Sequence, residues 1–164
     1  TLANSSGQSY IGLAEQTGAS LFRFAQSSVI AGLTSETFYI SVIVKTITGN
    51  PYIYFRLDST PTRAASVRVS DGDTQGLSSG VEVNFTLISD DFSLIQIRYT
   101  LPADDATILG SVTLLDDSGS LVAPNIGSQL YVQAAFFGKS DDWPALYNPT
   151  VITQEPSTLN IIEK

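Results

Sequence analysis

Apolar and polar residues alternate along most of this chain, and the alternation marks out a series of β-strands. Thr37–Thr46, TFYISVIVKT, places Phe38, Ile40, Val42 and Val44 on one face. The turn Thr48-Gly49-Asn50-Pro51 feeds Tyr52–Asp58, where Ile53, Phe55 and Leu57 face inward and Tyr52, Tyr54 and Arg56 outward. The same period predicts strands over Ala65–Ser70, Gly80–Ile88, Ser93–Thr100, Ala106–Leu115 and Gln129–Phe137, with an earlier pair near Ser9–Ala14 and Ser20–Ala25. No window carries a capped helical period. An all-β chain with roughly eight to ten strands at this spacing predicts an antiparallel β-sandwich.

The closing strand is expected to point Leu130, Val132, Ala134 and Phe136 one way, and Tyr131, Gln133, Ala135 and Phe137 the other. After Gly138 the period is lost. Asp141-Asp142-Trp143-Pro144 follows, with the only tryptophan in the chain. Trp143 is read first as a cap over the core edge or an interface residue, and second as a flat ring for a ligand. Val151–Thr153 is a candidate for a short last strand.

At 164 residues the chain reads as one domain spanning 1–164, large enough for a real core. It begins at Thr1 and contains no methionine, so it is expected to be processed or excised from something larger. A net charge of -8 argues against nucleic acid and against anionic membrane surfaces. No apolar run is long enough for a membrane span, and no signal pattern opens the chain. With no histidine and no cysteine, Ser-His-Asp and Cys-His sites, thiolate zinc sites and disulfides are all excluded. The serines lack a base. Glu82, alternating with Val81 and Val83, points to solvent rather than into a cleft, so nothing marks the acid and base of a glycosidase. The chain is read as a non-enzyme.

Four Asp-Asp pairs, Asp90-Asp91, Asp104-Asp105, Asp116-Asp117 and Asp141-Asp142, stand where strands end. Aspartate accepts hydrogen bonds from the backbone of its own turn, which makes such pairs turn formers. Their hard oxygens would also suit a structural Ca2+, and Asp71-Gly72-Asp73 has the local look of a calcium loop without the spacing of an EF-hand. Both readings stay open, and the metal ligands are unassigned.

The outward row carries the candidate binding chemistry. Tyr52, Tyr54 and Arg56 share one strand face, Gln96 and Arg98 another, and Tyr131 lies on the closing strand, with Trp143 at the rim. Aromatic rings stack on sugar C–H surfaces, while arginine and glutamine bond hydroxyls. Tyrosine and arginine are also common on exposed strands and at oligomer interfaces.

The order of the pieces resembles a known group. TFYISVIVKTITGNPYIYFRL, then FSLIQIRYTL, then Tyr131–Gly138 and the exit Tyr147-Asn148-Pro149-Thr150 are similar to jelly-roll modules of bacteriophage tail fibres, tailspikes and other virion proteins. Those modules are in turn similar to carbohydrate-binding modules. Members often close with a strand resembling Tyr-Ile-Trp-Gly-Ala-Gln-Leu-Glu and exit through Tyr-Ile-Pro-Thr. Here the Trp and the Gln-Leu-Glu are replaced, so roles tied to them do not carry over. Over Ser35–Thr150 the resemblance implies jelly-roll topology and a non-catalytic module on a virion or otherwise extracellular. Such a module binds a host glycan or polysaccharide. Alternatively, it trimerises or caps a particle as a homotrimer with no ligand of its own.

Overall fold

The computed structural model describes residues 8–9, 12–15, 22–27, 29–89, 92–115, 117–119 and 129–139. The described residues form twelve strands and no helix: β1 (Gln8–Ser9), β2 (Gly12–Glu15), β3 (Phe22–Gln26), β4 (Ile30–Gly32), β5 (Thr37–Thr48), β6 (Tyr52–Asp58), β7 (Arg63–Arg68), β8 (Thr74–Gln75), β9 (Val81–Ser89), β10 (Phe92–Thr100), β11 (Asp105–Leu114) and β12 (Gln129–Gly138). They build two antiparallel sheets. A seven-stranded sheet runs β1-β3-β11-β6-β7-β8, with β4 also paired to β11, and a five-stranded sheet runs β2-β12-β5-β10-β9. The chain is an antiparallel β-sandwich.

The alternating residues close the sandwich. Ile53, Phe55, Val67, Ile108, Val112 and Leu114 of the seven-stranded sheet meet Phe38, Val42, Val44, Ile95, Leu130, Val132 and Phe137 of the five-stranded sheet in one buried cluster. Each fully buried side chain of this size contributes about 1.5–3 kcal/mol, and this burial is what holds the two layers together. The two sheets pack tightly where Gly110 of β11 lies against Phe137 of β12, and the Phe137 ring stacks on Phe38 with centroids 5.9 Å apart.

Two departures from the sequence pattern matter for the surface. The predicted strand Ser9–Ala14 is two short strands in different sheets: β1 pairs with β3, and β2 with β12. In β12 the register against β5 shifts between Val132 and Ala134, a bulge at Gln133. One extra residue reverses the phase beyond it. Leu130 and Val132 face the core as expected, but Ala135 and Phe137 then join the core while Ala134 and Phe136 turn outward. The alternation assigned to the second half of this strand is therefore corrected. Val151–Thr153 lies outside the described residues.

Candidate ligand-binding face

β6 follows its period along its whole length. With Ile53, Phe55 and Leu57 buried inside, Tyr52, Tyr54 and Arg56 stand on the outer face of the seven-stranded sheet. Tyr54 is half-buried and sits between Ser66 of β7 and Thr113 of β11, its direct cross-strand partners. The next row places Arg56 between Ala64 and Ser111. Partners in such rows have Cβ atoms about 5 Å apart, so the phenol ring stands in a shallow floor of small side chains and hydroxyls. Arg56 donates from Nε to Asp58 Oδ1 at 2.6 Å, which fixes the guanidinium at the edge of that floor.

Tyr52 lies on the same face but is not available there, since only 2% of it is exposed. Its hydroxyl donates to Asp73 Oδ2 at 2.9 Å and accepts from Gln75 Nε2 at 3.0 Å, and the Arg68 guanidinium lies 5.5 Å from its ring centroid. Burial, reinforced by the Asp73 hydrogen bond, pushes the phenol pKa up. The platform role expected of Tyr52 is thus corrected to that of a brace between the sheet and the Asp71–Gln75 segment. The same segment explains Asp71-Gly72-Asp73. Arg68 forks onto Asp71 through Nε and Nη2, both at 2.8 Å, and reaches Asp73 at 3.4 Å. That fork holds the Asp71 carboxyl below its usual range. Gly72 supplies the left-handed turn, with φ at 77°.

Gln96, Arg98 and Tyr131 stand on the outer face of the five-stranded sheet, on the opposite side of the molecule. Gln96 is buried and donates from Nε2 to Ser41 Oγ at 2.9 Å, so it belongs to the sheet's own packing and not to an open platform. Arg98 bonds Glu82 through Nε at 2.8 Å and through Nη2 as well. Tyr131 packs edge-on against Phe92, centroids 6.2 Å apart and planes at 88°. Between them Tyr39, Ile43, Leu94 and Phe136 form a second apolar cluster. The expected row is thus split into two sets of three that no single ligand can span. Trp143 lies outside the described residues.

Asp104, Asp105 and Asp117 act as backbone acceptors. Asp104 takes the Thr34 N–H at 2.7 Å and its hydroxyl at 2.8 Å, while Asp105 takes the N–H of Thr60 at 2.6 Å and of Thr107 at 2.9 Å. Asp117 takes the Asn50 N–H at 2.8 Å. The backbone donors of Thr34 and Thr107 hold the Asp104 and Asp105 carboxyls below the usual range. Glu36 is lowered by its bond to Lys139, at 2.8 Å, and by the Leu33 N–H. Among the described residues no three His, Cys, Asp or Glu side chains converge to hold a metal. Asp90, Asp91, Asp116, Asp141 and Asp142 lie outside the described residues.

Sequence reasoning did not include Ser66, Ser111 and Thr113, because only the register of three strands distant in sequence brings them beside Tyr54 and Arg56. Compared with known proteins, the chain matches no family model, and no curated protein matches it with significance.

Proposed function

We propose that this chain is a non-catalytic carbohydrate-binding module whose binding surface is the outer face of the seven-stranded sheet around Tyr54. The observation that carries this reading is Tyr54, half-buried between Ser66 and Thr113 and bordered by Arg56 and Ser111. A flat aromatic face beside an exposed guanidinium fits a sugar ring, whose C–H surface stacks on Tyr54 while Arg56 bonds its hydroxyls; Ser66, Ser111 and Thr113 are buried and form the floor beneath.

The strand order supports the jelly-roll topology on which the proposal draws. The runs β2-β12-β5-β10 and β3-β11-β6-β7 divide successive strands between two sheets, as double-sheet jelly rolls do. Together with the resemblance to phage tail-fibre and tailspike modules, this supports reading the chain as part of a virion or other extracellular protein that recognises a host surface glycan. Glycan-array screening followed by calorimetric titration tests the reading: a sugar that binds the native chain and not Tyr54→Ala supports it, and silence across the array overturns it.

A second reading, an assembly domain, is favoured by one observation. The five-stranded sheet ends in a long strand, β9, that no described strand covers on its outer side.

A further inference from the structure

We propose that the edge of β9 that no described strand covers is a strand-addition site for a second copy of this chain. The two β9 strands pair antiparallel about Asn84 and join two five-stranded sheets into one.

Among the described residues the other sheet edges are short. The seven-stranded sheet ends in the two-residue strands β1 and β8, and at the far edge of the five-stranded sheet the four-residue β2 pairs only Gln129–Val132 of β12, the rest of which is broken by the bulge at Gln133. β9 spans nine residues, VEVNFTLIS. An edge strand presents a row of unpaired N–H and C=O groups, and monomeric sandwiches blunt such edges with lysine, proline, bulges or inward charges. β9 has no lysine and no proline. Its one charge, Glu82, points outward and is already neutralised by Arg98. Its irregularity against β10 lies at the Phe92/Ser93 end, which leaves Val81–Leu87 regularly paired on the inner side. Leu87 is 63% exposed, and Val83 and Phe85, which pack on the core, are only half-buried.

The sequence of this edge is complementary to itself. An antiparallel pair centred on Asn84 sets Glu82 of one copy opposite Thr86 of the other, Val83 opposite Phe85, and Val81 opposite Leu87. No like charges meet, and the exposed Leu87 gains an apolar neighbour. Centring on Glu82 would instead set two carboxylates face to face. A two-fold axis through the Asn84 pair, perpendicular to the sheet, makes the contact isologous and closed. It also leaves both seven-stranded sheets on one side of the joined sheet, so that two Tyr54 faces look the same way. This last point rests on the proposed binding face. Two such faces in one particle would raise avidity for a repeating polysaccharide.

Sedimentation equilibrium of the full chain without sugar tests the dimer separately from the binding reading. The native chain is expected to dimerise with concentration. Asn84→Lys opposes two lysines at the centre, and Thr86→Glu sets a carboxylate opposite Glu82 at both flanks. Each is expected to raise the dimer dissociation constant by about tenfold or more, while Ile47→Lys, at the exposed end of β5, leaves it unchanged. Both β9 positions are exposed, and circular dichroism confirms that the variants remain folded. Hydrogen exchange of the Val83–Leu87 amides is expected to slow as concentration rises. A monomer up to millimolar concentration, a closed trimer, or a dimer insensitive to both Asn84→Lys and Thr86→Glu overturns the proposal.

Discussion

Gly110 and Phe137 pack tightly across the two sheets: a Cβ on Gly110 would stand 2.6 Å from Cδ2 of the Phe137 ring. Phe137 cannot retreat freely, because its other side stacks on Phe38. Gly110→Ala therefore forces the sheets apart or the ring out of its rotamer, an overpacking cost of about 1–3 kcal/mol. Urea unfolding should show a lower midpoint with an unchanged slope. The double variant with Phe137→Leu should recover part of the loss if the contact is the cause.

Tyr52→Phe separates bracing from binding. Removing the hydroxyl takes a donor from Asp73 and an acceptor from Gln75. The expected loss of stability is about 1–2 kcal/mol in a thermal or urea melt, since each net hydrogen bond contributes about 1 kcal/mol. Sugar affinity should be unchanged, in contrast to Tyr54→Ala. Because burial raises the Tyr52 pKa, one phenol of the native chain should titrate above the ordinary tyrosine range in a spectrophotometric titration and return to it on unfolding.

Acid stability follows from the carboxylates at the turns. Glu36, Asp71, Asp104 and Asp105 all have folded pKa values lowered, by Lys139, by Arg68 and, for the last two, by backbone N–H groups of Thr34 and Thr107. A lowered folded pKa means that the folded state binds fewer protons than the unfolded chain. Their stabilisation is complete above the unfolded values of about 4 and is lost as pH falls through the folded ones. Asp104→Asn should narrow the difference in melting temperature between pH 6 and pH 3. An equal difference in native chain and variant would contradict this account of Asp104.

How far this architecture is legible in the sequence depends on how local each feature is. β6 was readable completely, since strict alternation from Tyr52 to Asp58 assigns every side chain to a face. β12 was readable only up to Val132, because a bulge adds one residue without any mark in composition, and everything beyond Gln133 reverses. The burial of Tyr52 was hidden for another reason: its cover, Asp73 and Gln75, comes from a turn more than a dozen residues downstream. Nor does alternation say which sheet a strand joins. Tyr54 and Arg98 share an outward phase yet stand on opposite sides of the sandwich.

Asp71 distinguishes a calcium loop from an arginine clamp. The fork from Arg68 occupies both of its oxygens, and Asp73 N–H also bonds Oδ1 at 3.1 Å. Asp71→Asn is expected to lower the melting temperature by the same amount in excess calcium and in excess EDTA. A bound ion stabilises the native state by mass action, so a loss seen only in calcium would instead mark Asp71 as a ligand.

Calorimetric titration of the native chain and of Tyr54→Ala, with a glycan selected on an array, tests the binding face most directly. Losing the stacking ring should weaken affinity by about tenfold or more, measured below the melting temperature of the variant so that the loss reports binding and not unfolding. Arg56→Ala should weaken binding in the same direction. Equal affinity in the native chain and both variants, or no glycan bound at all, would contradict the assignment of the outer face of the seven-stranded sheet as a carbohydrate-binding surface.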